Sequence, residues 1–135
     1  MNAAVQEGNL LVDTHALLWW LAEPERLSAN AHASIANREL NVYVSAASGW
    51  EIATKVRLGK LPAARELLED LPGLLANQGF LLLPIELRHG LRAGSYTMPH
   101  RDPFDRLLAA QAELQNLTLL SVDPALRDFP CRLLW

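Results

Sequence analysis

Five short apolar runs, separated by stretches long enough for helices, constrain this chain more than any other feature. They fall at residues 10–12, 42–44, 80–83, 118–122 and 132–134. The second, Val42-Tyr43-Val44, is β-branched and aromatic, as strands prefer. Leu10-Leu11-Val12 is the continuous apolar run of a strand buried on both faces. Between the runs, helices are expected at residues 14–23, stopped by Pro24, and at 28–38, capped by Ser28. Another is expected at 48–58, ended by Gly59, and one at 63–77, bracketed or kinked by Pro62 and Pro72 and closed by Gly79. A short helix follows at 85–93. Pro103 opens the strongest, at 103–115, where Leu107, Leu108, Gln111 and Leu114 recur at helical spacing. Strands alternating with helices predict an α/β fold: a mainly parallel sheet covered on both faces, in three α/β/α layers.

The 135 residues suffice for one domain with a real core, spanning 1–135, with residues 1–8 expected as a flexible lead-in. Half of the residues are hydrophobic and a fifth charged, which excludes a disordered chain. A net charge of −3 offers no bulk attraction to nucleic acid, although a local basic face can act against an acidic total. The lone Cys131 cannot form an internal disulfide and is expected in a buried strand of a protein from a reducing compartment. No apolar stretch reaches the roughly 18 residues of a membrane-spanning helix, and no signal peptide is evident. The expected location is the cytoplasm, with no membrane partner.

In open parallel sheets the ligand crevice lies outside the carboxyl ends of the strands. Asp13 and Asp123 follow two of the apolar runs, and Glu51 and Asp105 stand near the starts of two expected helices. Carboxylates gathered at one edge repel one another, and a divalent cation is the usual reason to tolerate them. Each acid also has a structural reading. Asp13 can cap the helix after it. Ser48 with Glu51 three residues later reads as a capping box. In Asp102-Pro103-Phe104-Asp105 either acid can serve the helix start while the other is functional. Asp123 precedes Pro124 and can simply begin a turn.

Other chemistries find little support. There is no Gly-x-Ser-x-Gly elbow and no glycine-rich phosphate loop. His15, His32, His89 and His100 form no zinc-like pair with another His or Cys. His100 lies near the Asp102 segment, where it can move a proton, meet a phosphate or simply be solvated. Lys55, Arg57, Lys60, Arg101 and Arg106 are candidates for holding phosphates or for an ordinary charged surface. Residues 17–21, Leu-Leu-Trp-Trp-Leu, are more apolar than one helix face can bury, so part of them can meet a partner or a second protomer.

Together these segments resemble the PIN domain, in particular the VapC-type toxins of type II toxin–antitoxin (VapBC) systems. Leu11-Val12-Asp13-Thr14-His15-Ala16-Leu17-Leu18-Trp19 is similar to the opening motif of one subgroup. The segment from Val44 to Ala53, with Lys55 and Gly59-Lys60-Leu61, resembles the second, and His100 to Ala112 resembles the third and most specific. Leu120-Ser121-Val122-Asp123 resembles the fourth, with Ser121 where many relatives carry Thr. The resemblance implies strand order 3-2-1-4-5 and a Mg²⁺- or Mn²⁺-dependent endoribonuclease. It implies that Asp13, Glu51 and Asp105 are catalytic metal ligands, with Asp123 a fourth and more variable acid. Asp102 is then a helix cap or a supporting group. Implied partners are RNA, a VapB-like antitoxin and a second copy in a homodimer. The alternatives are an antitoxin-binding module with weak or no nuclease activity and a receiver-type domain. A receiver-type domain also gathers acids around Mg²⁺, but it wants a lysine after a late strand, and none follows here.

Overall fold

The computed structural model describes residues 8–135; the expected lead-in falls almost wholly outside them. Five strands form one sheet in the order β3-β2-β1-β4-β5, and every neighbouring pair is parallel. They are β1 (Asn9–Val12), β2 (Asn41–Ser45), β3 (Leu81–Leu83), β4 (Thr118–Leu120) and β5 (Arg132–Leu134). Among the described residues six α-helices flank them: α1 (Thr14–Ala22), α2 (Ala29–Ala36), α3 (Ala46–Arg57), α4 (Leu71–Asn77), α5 (Leu87–Ser95) and α6 (Pro103–Leu114).

The pleat of β1 explains the layering. Alternate side chains of a strand face opposite sides of the sheet. Leu10 and Val12 enter one core with Val42, Val44 and Leu120, covered by Ala16 and Leu17 of α1, Ala31 and Ile35 of α2 and Leu75 of α4. Leu11 enters the other with Leu83 and Leu119, covered by Ala93 of α5 and Leu108, Ala109 and Ala112 of α6. Leu10, Leu11 and Val12 are all buried. A run with no polar residue is what a central strand between two helical layers requires.

Several boundaries differ from expectation. The 63–77 segment is not one helix: Pro62–Asp70 is a 3-10 stretch, and α4 begins only after it. Asp70 causes the break by capping, with its Oδ1 accepting from Gly73 N at 3.2 Å. Gly59 and Gly79 have φ of +75° and +86°, the left-handed geometry that closes a helix and favours glycine. β4 ends at Leu120, two residues early, and α5 is shifted two residues towards the C-terminus. Cys131 is half-buried just ahead of β5 rather than within it. The apolar stretch of α1 is also resolved. Leu17 is buried, and Leu18, Trp19, Trp20 and Leu21 pack partly buried against the first core.

Candidate active site

β1 lies between β2 and β4, so the chain runs outward from it in both directions and leaves a crevice at the carboxyl edge. A cavity of about 510 Å³ opens there. Its walls include Asp13, Glu51, Asp102, Asp105 and Asp123, together with Thr14, His15, Trp19, Lys55, Val122 and Pro124. All four acids singled out from the sequence therefore line one cavity.

Each is delivered by a different piece of the fold. Asp13 leaves β1 and continues its ladder, donating from its backbone N to Leu120 O at 3.0 Å. Its side chain caps α1, with Oδ1 accepting from Ala16 N at 2.7 Å. Asp13 thus fills the capping role expected of it while also lining the cavity, one oxygen being committed to the helix. It is buried, and desolvation pushes its carboxyl pKa above the ordinary value, with the Glu51 charge adding to the rise. The Ser121 hydroxyl and the Ala16 N–H oppose the shift.

The capping-box reading of Ser48 and Glu51 is overturned. α3 starts at Ala46, capped by Ser45 at the end of β2, whose Oγ accepts from Ala47 N at 2.9 Å. Ser48 is fully buried within the helix, where its Oγ accepts from Thr14 Oγ1 at 3.0 Å and ties α3 to α1. Glu51 is therefore released from capping. It is buried, and its Oε2 meets Lys55 Nζ at 2.5 Å one turn on. Lys55 is thereby a cavity residue, paired with Glu51.

Asp102 caps α6, its Oδ1 accepting from Phe104 N at 2.9 Å and Asp105 N at 3.4 Å. That leaves Asp105 in the first turn, pointing into the cavity, with its Oδ2 at 2.9 Å from His100 Nε2. Burial raises the Asp105 carboxyl to about 6. The His100 hydrogen bond pulls it down, and the charges of Asp102 and Asp123 push it up. Asp123 stands beyond β4, and its Oδ1 accepts from Ala125 N at 2.9 Å to cap a short 3-10 turn. Arg106, a candidate phosphate holder from its position, has another role. Its guanidinium donates to four backbone carbonyls, those of Ala93, Tyr96, Met98 and His100, and so fastens the 96–101 loop in front of α6.

The donor set is all oxygen, which suits a hard divalent cation, and the mutual repulsion of its members is what such a cation relieves. Among the described residues no three acidic or histidine side chains already stand close enough to clasp one. Glu51 is engaged by Lys55 and Asp105 by His100. Sequence reasoning did not single out Thr14, Trp19 or Val122 as cavity walls. Their only signal was adjacency to Asp13 and Asp123.

A family model, "PIN domain", matches residues 10–130. The chain belongs to the PIN-domain family. It is 29% identical over 122 residues to ribonuclease VapC22 of Mycobacterium tuberculosis, covering 88% of this chain and 90% of that protein. Among solved structures it resembles VapBC2 from Rickettsia felis bound to a DNA fragment from the promoter, with a TM-score of 0.68 at 14% identity over 93% of this chain and 97% of the other. It also resembles FitAcB from Neisseria gonorrhoeae, with a TM-score of 0.59 at 22% identity over 93% of this chain and 96% of the other. At such identities these likenesses concern the fold, and the PIN-domain strand order is the one observed here.

Proposed function

We propose that this PIN domain is the toxin of a type II toxin–antitoxin pair and a metal-dependent endoribonuclease that hydrolyses RNA phosphodiester bonds. The observation that carries this is the meeting of Asp13, Glu51, Asp105 and Asp123 on one cavity at the carboxyl edge of the sheet. Likeness to a ribonuclease over most of both chains supports the substrate class.

In this proposal the four acids hold Mg²⁺ or Mn²⁺. Such an ion, when bound, supplies charge to polarise the phosphoryl group and to acidify a water. The chain's own residues provide the rest. Ser121 and the start of α1 hold Asp13 in place, and Asp102 holds the helix end that presents Asp105. His100 Nε2 lies 2.9 Å from Asp105 Oδ2 and orients the carboxylate that would hold the cation. Lys55 balances the charge of Glu51, a carboxylate that would hold the cation.

A second reading makes the chain chiefly a binding module for a VapB-like antitoxin. The Lys55–Glu51 pair favours it, because it shows that the acidic cavity accommodates a basic side chain. A partner's lysine or arginine can compete for the same carboxylates. A homodimer accompanies either proposal.

Incubating purified protein with total RNA tests the assignment. Cleavage is expected with Mg²⁺ or Mn²⁺ and is expected to be lost with EDTA and in Asp105→Asn. Mapped ends would then give the cleavage site. Full activity of Asp105→Asn would remove Asp105 from the site, and no cleavage under any condition would favour the binding module.

A further inference from the structure

Trp50 is an anomaly that the acid site does not explain. It is 54% exposed, although burying an indole is among the larger gains available to a fold. It immediately precedes Glu51 on α3, and its ring meets that of Phe104, which immediately precedes Asp105 on α6. The centroids are 4.6 Å apart with the planes at 77°. Two aromatic rings, each one residue from a cavity acid and on different helices, therefore join outside the cavity walls, bridging the two helices that carry Glu51 and Asp105.

The geometry of the pair matters. In an edge-to-face contact one ring offers only its edge, so most of the available π-faces stay open. Phe104 steadies the indole without stacking on it. A steadied, solvent-facing aromatic beside a site for phosphate chemistry is what recognition of single-stranded nucleic acid employs. Unpaired bases stack on such rings, tolerantly of sequence, because every base has a π-face.

We infer that Trp50, steadied by Phe104, is a stacking platform for an unpaired base of the RNA whose phosphate lies at the acid cavity. This inference rests on the ribonuclease assignment and deepens it. Trp50 contributes binding and positioning, not chemistry.

The test compares the unsubstituted full chain with Trp50→Ala and Trp50→Phe on a single-stranded oligoribonucleotide that the unsubstituted protein cleaves. Loss of one base stack is expected to raise KM roughly five- to hundredfold in Trp50→Ala. The effect should fall on KM rather than kcat, because stacking is the same before and during the reaction. Trp50→Phe, which keeps a π-face, should recover most of the loss. In an Asp105→Asn background, where the RNA survives, the oligonucleotide should quench tryptophan emission. Trp50→Phe should reduce that quench, the remainder coming from Trp19 in the cavity wall. An unchanged KM and quench in the Trp50 variants would overturn the platform and leave the ribonuclease assignment standing. Neither binding nor cleavage by the unsubstituted protein would overturn both. Trp50→Ala weakening binding of an antitoxin peptide while leaving the KM for RNA unchanged would assign Trp50 to a protein interface and overturn the platform.

Discussion

Asp105 carries a cost that the fold accepts. Its ionised form is disfavoured by burial and by two neighbouring acids, so a neutral isostere should relieve the molecule. Asp105→Asn is therefore expected to melt no lower, and at neutral pH higher, than the unsubstituted protein in EDTA, while losing cleavage. A thermal melt paired with an RNA assay checks this, and a large fall in Tm with retained cleavage would contradict both parts. Arg106 is the opposite case, a charge with a structural task. Four carbonyls converge on its guanidinium, and a hydrogen bond to a charged group is worth roughly 1.5–3 kcal/mol where the freed partner cannot reach water. Arg106→Ala should destabilise by about 3 kcal/mol in a urea titration, since part of the loop rehydrates. Arg106→Lys should recover little, because an ammonium cannot span the same fork. The charge pattern around Asp102 and Asp105 did not separate Arg106 from a phosphate-binding arginine. The loop carbonyls it serves are set by the path of the chain, which sequence spacing does not encode.

The helix starts are where the site is assembled. Asp13, Asp102 and Asp123 each spend one oxygen on a backbone N–H at the start of a helical segment. Their carboxylates are thus fixed where the sheet's carboxyl edge opens. For Asp102 the cap is the main task. Asp102→Ala is expected to cost about 1 kcal/mol, whereas Asp102→Ser, which can still cap, should stay within about 0.5 kcal/mol and keep more activity than Asp105→Asn. Equal losses of activity in Asp102→Ser and Asp105→Asn would instead put Asp102 among the ligands. The same element shows how a local signature misleads. Ser48 and Glu51 have the spacing of a capping box, yet Ser45, three residues earlier, is the cap because β2 ends there. A run of small polar residues offers several possible starts, and the strand that precedes it selects one.

In the whole molecule the acid edge links folding to pH and, on the proposed function, to a cation. Asp105 has a folded pKa of about 6 against an ordinary 3.8. An acid raised on folding contributes stability while protonated. That contribution is complete below about pH 4 and is lost as pH rises through about 6. Above pH 6 the unrelieved charge is what a cation neutralises. Millimolar Mg²⁺ or Mn²⁺ is therefore expected to raise Tm at pH 7.5 and to raise it much less at pH 4.5. The difference with and without metal cancels groups remote from the cavity, such as buried His89. Equal shifts at both pH values, or none at pH 7.5, would argue against the site. The layers, the parallel sheet and the four acids were legible in the order of residues, because apolar runs, helix-length spacers and carboxylates after strands are local patterns. The break at Asp70, the tie between Thr14 and Ser48, the Arg106 clamp and the pairing of Trp50 with Phe104 were not. These came from packing, which joins residues far apart in the chain or chooses between equal local signals. So too with the acids: sequence supplied four candidates on separate segments, and the placement of β1 between β2 and β4 brought them to one cavity.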